Sequence, residues 1–201
     1  MTTNASCRNV TTQSRRKAIL DAALLSFLSK GFTDTTMEDI RQTSGASTGS
    51  IYHHFENKEK IAIELYRDGR NELNLALFKA LQTKNPGEGL KELVRNYLDW
   101  FEHSPDLGLY VIQAASTEYL GRHVEEVRQS LDSFQQHFFE WLNPFIETGE
   151  IAIYPQYLYI PLALGPSREF IRIWLRKRIP AQLHEVRESL AEAALQVLLP
   201  H

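Results

Sequence analysis

The stretch SGASTGSIYHHF, residues 44–55, changes character halfway along its length. Its first half carries only small side chains, and its second half is a cluster of apolar, aromatic and histidine side chains. Gly45 favours the end of one helix, and Ser47 is a residue type that caps the start of another. The stretch therefore predicts a tight turn followed by a short helix over residues 48–54.

A longer helix is predicted upstream, because apolar side chains recur at helical spacing over residues 19–28. Thr12 or Ser14 can cap the start of this helix, and Gly31 can end it. Residues 1–13 are expected to form a disordered N-terminal arm.

A second short helix fits between the long helix and the turn. The letters TTMEDI offer a capping box in one of two registers, Thr36 with Asp39 or Thr35 with Glu38. This helix would run through about residue 43. Two short helices joined by TSGA match the helix-turn-helix plan, in which a glycine in the turn lets the second helix cross the first steeply.

In a helix-turn-helix, the second helix enters the major groove of DNA with its N-terminal residues facing the bases. Small residues let that helix approach closely, and their hydroxyls can donate to phosphates or bases. The small residues here are Ser47, Thr48, Gly49 and Ser50. Side chains that can reach the DNA backbone from other faces are Tyr52, His53 and His54. Ile51 and Phe55 can face the core, and Lys58 can bind phosphate at the start of the next helix.

Asn57 can cap a long connecting helix over about residues 58–81. The apolar stripe of this helix is formed by Ile61, Leu65, Leu73, Leu77 and Leu81. The stretch QTKNPGEG, residues 82–89, marks a boundary because it is rich in proline, glycine and polar residues.

Beyond that boundary the apolar periodicity predicts helices near residues 88–103, 106–118, 121–148, 156–178 and 180–199. Gly165-Pro166 is expected to kink or split the fourth of these helices. The predicted fold is all-α. A three-helix, helix-turn-helix DNA-binding domain occupies residues 14–60, and a helical ligand-binding and dimerisation domain occupies residues 61–201.

Composition narrows the class of protein. The 201 residues are 43% hydrophobic, which is enough for one compact fold or two small domains sharing a core. No stretch approaches the ~20 apolar residues of a membrane span, and the N-terminal residues lack the apolar core of a signal peptide. The single Cys7 excludes an internal disulfide and a Cys-rich zinc site. A cytoplasmic protein is expected.

The net charge of −3 is unevenly distributed. Residues 1–60 hold 8 basic and 6 acidic side chains, whereas residues 61–201 hold 14 and 19. A mildly basic N-terminal part on an acidic remainder allows the N-terminal part to bind nucleic acid.

The stretch TTMEDIRQTSGASTGSIYHHFENKEKI, residues 35–61, resembles the DNA-binding signature of TetR-type (TetR/AcrR family) transcriptional regulators. The matching positions are Thr35, Thr36, Asp39, Ile40, Gly45, Ser47, Gly49, Tyr52, His54, Phe55, Lys58 and Glu59. The departures from the family pattern are Arg41, Ser44, Ala46 and Ile61. The resemblance covers about residues 14–65 directly, and the remainder matches in length and helical character.

The resemblance implies a set of DNA contacts from Thr36, Thr48, Ser50, Tyr52, His53, His54 and Lys58. Members of this family bind near-palindromic operators as homodimers and are most often repressors. Two helices near the C terminus usually form the dimer interface, which would correspond to residues 156–178 and 180–199. The second of these helices carries an apolar stripe that a monomer could equally use as core: Leu183, Val186, Leu190, Ala194 and Val197.

Aromatic side chains are concentrated in the C-terminal part, where a packed core accounts for most of them. Aromatic-lined cavities are also how helical domains hold hydrophobic ligands. The resemblance therefore suggests ligand-pocket residues Trp100, Tyr110, Gln113, Phe138, Trp141, Phe145 and Tyr157. Candidate polar contacts to a ligand are Gln113, Ser116 and Arg168.

The sequence offers no chemistry for an enzyme. The motifs HExxH, GxxxxGK[ST] and GxSxG are absent, so an enzyme is not expected. Neighbouring residues on a helix point about 100° apart, so His53 and His54 are not expected to share a metal ion. No cofactor is expected.

These observations predict a ligand-responsive, sequence-specific DNA-binding transcriptional regulator. It would be a repressor released from a palindromic operator by a hydrophobic or aromatic small molecule. One alternative is an architectural or partner-controlled DNA-binding protein without an inducer, which a fully packed C-terminal core would favour. Another alternative is a binding module that has lost DNA recognition. The chain retains Thr36, Tyr52 and Lys58 at expected DNA-contact positions, which does not favour this alternative.

Overall fold

The structure is a computed structural model. In the part of the chain that it describes, the regular elements are helices. The backbone is described for residues 3–114, 124–176 and 182–200. The side chains are described for residues 12–114, 133–176 and 182–200. In chain order the helices are α1 (Thr3–Asp34), α2 (Met37–Ser44), α3 (Thr48–His54), α4 (Lys58–Ala80), α5 (Pro86–His103), α6 (Pro105–Ala114), α7 (Val124–Glu147), α8 (Gln156–Trp174) and α9 (Leu183–Leu198).

Helix α1 starts well before the caps expected at Thr12 or Ser14, so residues 3–13 are helical instead of forming a disordered arm. This stretch contains no glycine or proline that would interrupt a helix. Gly31 has φ 81° and ψ 164°, a conformation that glycine adopts without a Cβ clash. The helical backbone is therefore interrupted at the residue that the sequence predicts.

Capping fixes both short helices. Thr36 and Asp39 form the capping box of α2, so this register of the two predicted is the one adopted. Gly45 ends α2 at φ 64°, in the left-handed conformation that glycine tolerates. Ser47 caps α3, because its side chain accepts a hydrogen bond of 3.2 Å from the backbone N–H of Ser50. The predicted helix-turn-helix is present.

Helix α4 connects the helix-turn-helix to the remaining helices. Asn57 caps its start as predicted. The predicted stripe is buried at Ile61, Leu65, Leu73 and Leu77, whereas Leu81 at the end of the helix is half-buried. Helix α4 packs against α5 and α7, and α5 packs in turn against α9. The buried apolar residues of both halves form one continuous cluster.

The remaining helices follow the predicted order with shifted ends. Helix α5 begins earlier than expected because Asn85 caps it and Pro86 takes the first turn, where proline is favoured. Helix α6 is described to Ala114, and its expected continuation to residue 118 lies outside the described residues. The same holds for residues 177 and 178 of the fourth predicted helix.

A kink or a split is expected at Gly165-Pro166, and helix α8 is continuous there, so it is not split. Pro161 and Pro166 both lie inside this helix, and each removes only one backbone donor. Tyr159 and Ile171, near its two ends, are buried and hold both halves against the core. Within the described residues, no helix combines the length and apolar character needed to cross a membrane.

Candidate DNA-binding surface and ligand cavity

Helix α3 buries one face and presents the other to solvent. Ile51 is 2% exposed and Phe55 is 4% exposed, and both belong to the apolar cluster that includes Ile19 and Phe27 of α1. The prediction that these two residues face the core is confirmed. Because the buried face is fixed, the N-terminal residues of α3 on its other side point outward.

The outward side of α3 is polar and accessible. Its exposed residues, with the N-cap, are Ser47, Thr48, Gly49, Tyr52 and His53, and its half-buried residues are Ser50 and His54. Tyr52 is 55% exposed although it is large and aromatic. Helix α3 carries no carboxylate that would repel a phosphate. The predicted contact residues of the turn and α3 therefore lie together on one accessible surface.

Thr36 is exposed at the start of α2, but its hydroxyl is already used within the protein. Its hydroxyl donates to Asp39 Oδ2 at 2.8 Å and accepts from the Asp39 backbone N–H at 3.1 Å. Lys30 Nζ lies 2.6 Å from the other oxygen of the same carboxylate. The hydrogen bonds from Lys30 and Thr36 lower the pKa of Asp39 to about 2. Thr36 thus sets the start of α2.

Lys58 does not point to the surface as a phosphate ligand. Its ammonium donates to the backbone carbonyls of Phe32 at 2.7 Å, Thr33 at 3.1 Å and Thr35 at 2.7 Å. The ammonium also lies 4.5 Å from the centre of the Phe32 ring. A lysine ammonium has three N–H donors, and these carbonyls take all three. In this structure Lys58 ties the start of α4 to the end of α1, and its contact with phosphate stays a prediction.

His54 lies between α3 and α1 and is half-buried. Burial lowers the pKa of its imidazole, and the neighbouring His53, Arg16 and Arg15 lower it further. Arg16 itself pairs with Glu64 at 2.7 Å, which joins α1 to α4. Among the described side chains there is no group of three His, Cys, Asp or Glu residues that could hold a metal ion.

A cavity of about 370 Å³ lies among helices α4 to α8. The described residues that line it are Tyr66, Arg70, Leu73, Leu77, Tyr97, Phe101, Val111, Ile112, Phe134, Gln135, Ile160, Leu164, Arg168 and Arg172. Its volume falls at the lower end of the range of about 300–1,000 Å³ that is usual for small-molecule sites. Most of the wall is aliphatic or aromatic.

The polar groups of the cavity wall are mainly phenols and guanidinium groups. Burial raises the pKa of Tyr66, and it raises the pKa of Tyr97 to about 12. Burial lowers the pKa of Arg70, which the two phenols partly offset and the nearby Arg168 reinforces. The phenols are therefore neutral hydrogen-bond donors, and the arginines remain cationic.

None of the seven predicted pocket residues lines this cavity. Phe138 is fully buried, Trp100 is 8% exposed, and Phe145 packs edge-to-face against the indole of Trp141. Tyr157 is 76% exposed, on the outer surface.

The polar groups of the predicted pocket residues also point away from the cavity. Trp141 donates its indole N–H to the carbonyl of Thr83 at 2.8 Å, and Tyr110 donates to the carbonyl of Ala62 at 2.8 Å. Gln113 is exposed. Helical periodicity shows which residues share a face of a helix, but it does not show which neighbouring helix or cavity that face contacts. Arg168 does line the cavity as predicted, and Ser116 lies outside the described residues.

The cavity residues of α4 have a sequence signal that the aromatic pattern misses. Tyr66, Arg70, Leu73 and Leu77 follow one another at spacings of four, three and four residues. Such spacing places all four side chains on one face of a helix. An arginine on an otherwise buried apolar face is uncommon, and this feature marks a site.

Helix α6 lies between the cavity and the helix-turn-helix. Val111 lines the cavity, while the adjacent Tyr110 stacks on Phe27 of α1 with ring centres 5.9 Å apart. Tyr110 also donates to the carbonyl of Ala62 in α4. A Cβ added at Gly69 of α4 would lie 2.7 Å from Val111 Cγ2, so the two helices are in close contact.

Known proteins match the segment that contains the helix-turn-helix. The sequence profile of "Bacterial regulatory proteins, tetR family" matches residues 19–65, which include α2, α3 and the start of α4. The HTH-type transcriptional repressor KstR2 of Mycobacterium tuberculosis is 36% identical over 92 residues. That alignment covers 45% of this chain and 46% of the repressor, so the chain spans less than half the length of this relative.

Solved structures share the whole fold. A TetR family transcription regulator from Marinobacter aquaeolei VT8 has a TM-score of 0.82 at 18% identity, over 96% of this chain and 100% of that one. The regulator FadR from Bacillus subtilis, in complex with stearoyl-CoA, has a TM-score of 0.77 at 19% identity, over 89% of this chain and 97% of that one. Residues 19–65 therefore match the DNA-binding segment of the tetR family, and the chain shares the fold of these solved regulators.

Proposed function

We propose that this chain is a sequence-specific, DNA-binding transcriptional regulator. It acts as a repressor that a hydrophobic or aromatic small molecule releases from a palindromic operator. The surface of α3 carries this proposal. Its accessible side is polar and free of carboxylates, its other side is anchored by Ile51 and Phe55, and it lies within the segment that matches the family. A recognition helix needs this arrangement to enter the major groove.

Each group on this surface has a distinct proposed role. The hydroxyls of Thr48 and Ser50 read base edges, because they lie at the N-terminal end of the helix. Tyr52, His53 and His54 contact the DNA backbone from the neighbouring faces. Ser47 and Thr36 contribute at the starts of α3 and α2, where helix termini attract phosphate.

Selection of bound sequences from a random duplex library at physiological salt tests this function. The wild-type protein is expected to select a near-palindromic consensus with half-sites about one helical turn of DNA apart, or a multiple of that. A Thr48→Ala/Ser50→Ala double variant is expected to change the selected bases. Ser189→Ala, an exposed serine on α9, serves as the matched control. A wild-type protein that selects no consensus contradicts the proposal.

The regulator is proposed to be a homodimer that forms through α8 and α9. These two helices correspond to the predicted interface at residues 156–178 and 180–199. The apolar residues of α9 divide into two sets. Leu183, Ala194 and Leu198 are buried against the rest of the chain. A second row is only partly covered and suits a partner helix: Val186, Leu190, Ala193 and Val197. Val197 is 40% exposed, which supports an interface on this side.

The cavity supports the ligand-responsive part of the proposal. Its mostly apolar wall and its volume of about 370 Å³ suit a small hydrophobic molecule. The Bacillus subtilis FadR structure, which has the same fold, contains stearoyl-CoA. An architectural protein without an inducer would be expected to have a packed core here, so the cavity favours the regulator over that alternative.

A ligand acts by a shift of populations between two conformers. The two recognition helices of a dimer must be correctly spaced to fit both half-sites. A ligand that prefers the wrongly spaced conformer weakens operator binding by its differential affinity for the two conformers. Helices α4 and α6 carry the motion, since both line the cavity and both contact the helix-turn-helix side of the chain through Tyr110, Phe27 and Ala62.

A further inference from the structure

Arg70 is a cation on the buried face of α4. Its neighbours on this face are Tyr66, one turn before it, and Leu73, one turn after it, and all three line the cavity. Burial lowers the pKa of Arg70, which shows that its charge is poorly hydrated. Its Nε is fully buried and has no hydrogen-bond partner. Such a group is costly to bury unless something binds it.

Among the described side chains, no charge around the cavity neutralises Arg70. No carboxylate is found among the described residues that line the cavity. A second arginine, Arg168 of α8, lies on the same wall and lowers the pKa of Arg70 further. Arg172, at the edge, is already paired with Glu169 at 2.6 Å. The described wall therefore carries an excess of positive charge.

The phenols on the wall add donors and no negative charge. Tyr66 and Tyr97 line the same cavity as Arg70. Burial raises the pKa of both phenols, which keeps them protonated at neutral pH. A protonated phenol can donate one hydrogen bond to an oxyanion. A guanidinium can donate two N–H hydrogen bonds to the same oxyanion. These groups together form a binding site for an oxyanion.

The rest of the wall is apolar. Leu73 and Leu77 of α4 face the cavity together with Phe134 of α7 and Leu164 of α8. We propose that the cavity binds an organic anion with an apolar body. The carboxylate or phosphate head of this ligand pairs with Arg70 and Arg168, and the body packs against the aliphatic and aromatic wall. This ligand class rests on the proposed regulatory function, but its test requires no DNA.

Four probes with the same ten-carbon chain separate the charge of the head from the apolar body. They are decanoate, monodecyl phosphate, 1-decanol and decylammonium, each titrated calorimetrically below its micelle concentration. At least one anion is expected to bind about tenfold or more tightly than 1-decanol, and decylammonium is expected to bind most weakly. Comparison of the two anions identifies the preferred head group. Equal binding of all four probes, tighter binding of decylammonium, or no binding of either anion overturns the proposal.

Variants locate the head group. Arg70→Gln is expected to lower the affinity for the preferred anion about tenfold or more and to leave 1-decanol unaffected, whereas Arg70→Lys retains part of the preference. Arg67→Gln is the matched control, because Arg67 lies one turn away on α4 and does not line the cavity. Unchanged anion affinity in Arg70→Gln overturns the assignment.

A second readout does not depend on any ligand. Replacement of a poorly paired, half-buried cation by an apolar side chain of similar length is often neutral or stabilising, so Arg70→Met is expected to keep or raise the melting temperature of the free protein. If Arg70→Gln fails to fold, Arg168→Gln replaces it as the test, because Arg168 is exposed and its replacement leaves the core intact. Arg168→Gln is expected to lower anion affinity in the same way, since Arg168 also lines the cavity. Failure of the DNA selection with anion binding intact would reject only the proposed function.

Discussion

Lys58 shows at the scale of one residue how a matching sequence position acquires a structural role. Its ammonium is held by the carbonyls of Phe32, Thr33 and Thr35, which follow the interruption at Gly31. Carbonyls at the end of a helix have no N–H partner within the helix, and here the lysine ammonium supplies the missing donors. Lys58 thereby joins the start of α4 to the end of α1 and to Thr35, which precedes α2.

Lys58→Met is expected to destabilise the protein. Loss of the hydrogen bonds from this charged donor to three backbone carbonyls corresponds to a fall in melting temperature of about 4 °C or more for a chain of this size. Differential scanning calorimetry measures it, with Lys84→Met in the exposed loop before α5 as the control. If Lys58→Met keeps the wild-type melting temperature but binds DNA more weakly, Lys58 is a phosphate ligand as the sequence predicts.

Asp39 makes the start of α2 sensitive to strong acid. Hydrogen bonds from Lys30 and Thr36 lower its pKa from the ordinary 3.8 to about 2. Because the folded pKa is depressed, the carboxylate stabilises the fold fully above pH 3.8, and this contribution is lost as the pH falls towards about 2. The difference in melting temperature between wild type and Asp39→Asn is therefore expected to be constant above about pH 4 and to shrink below it.

The matched control for this titration is Asp21→Asn, which removes an exposed carboxylate that pairs with Lys17. Its effect on melting temperature is expected to be smaller, because exposed pairs contribute little. A difference between wild type and Asp39→Asn that stays the same from pH 7 to pH 2 would show that the capping box does not depend on the charge of Asp39.

At the scale of elements, α6 connects the cavity to the helix-turn-helix. Tyr110→Phe removes the hydrogen bond to the carbonyl of Ala62 and keeps the ring that stacks on Phe27. Because Tyr110 does not line the cavity, the affinity for a cavity ligand is expected to change little. The loss of DNA affinity that the ligand causes is expected to be smaller than in wild type.

The control for α6 is Tyr159→Phe, which removes a phenol that hydrogen-bonds to Ala152 elsewhere in the core. This variant is expected to respond to ligand as wild type does. Anisotropy of a labelled duplex, titrated with and without ligand, measures both responses. Equal ligand responses in wild type and Tyr110→Phe would show that the contact of α6 with α4 does not transmit the ligand signal.

The ends of elements are predictable from sequence where the signal is local. Thr36, Gly45, Ser47 and Asn57 act on backbone groups within three residues, so the short helices and the start of α4 lie where the sequence places them. The direction in which a helix faces depends on contacts between distant segments. Tyr110 is therefore predicted as a pocket residue, yet it packs on α1 and α4.

At the scale of the whole molecule, the fold class and the helix-turn-helix follow from the sequence, and the cavity does not. Five helices meet around it, and its lining is set by their mutual packing. The position of Arg70 is the sequence signal for the cavity. It lies on the same helical face as Tyr66 and Leu73, where a cation interrupts an otherwise apolar face. Aromatic content alone points instead to the core, where Phe138 and Trp100 are buried.

Dimerisation through α9 is tested at the same scale. Val197→Arg places a charge on the half-covered apolar row of α9, so it is expected to shift the protein from dimer to monomer in sedimentation velocity and to weaken binding to a palindromic duplex. Gln196→Arg, the adjacent exposed position on another face of the helix, is expected to remain dimeric. A dimeric Val197→Arg protein would place the interface elsewhere.

The central claim is that occupancy of the cavity and binding of the operator oppose each other. The most direct measurement is the affinity of the wild-type and Arg70→Gln proteins for the selected duplex, with and without decanoate at a concentration that saturates the wild-type cavity. Decanoate is expected to weaken duplex binding by wild type about tenfold or more and to change duplex binding by Arg70→Gln very little. Duplex affinity that stays unchanged while a rise in melting temperature shows decanoate bound to wild type would contradict the central claim.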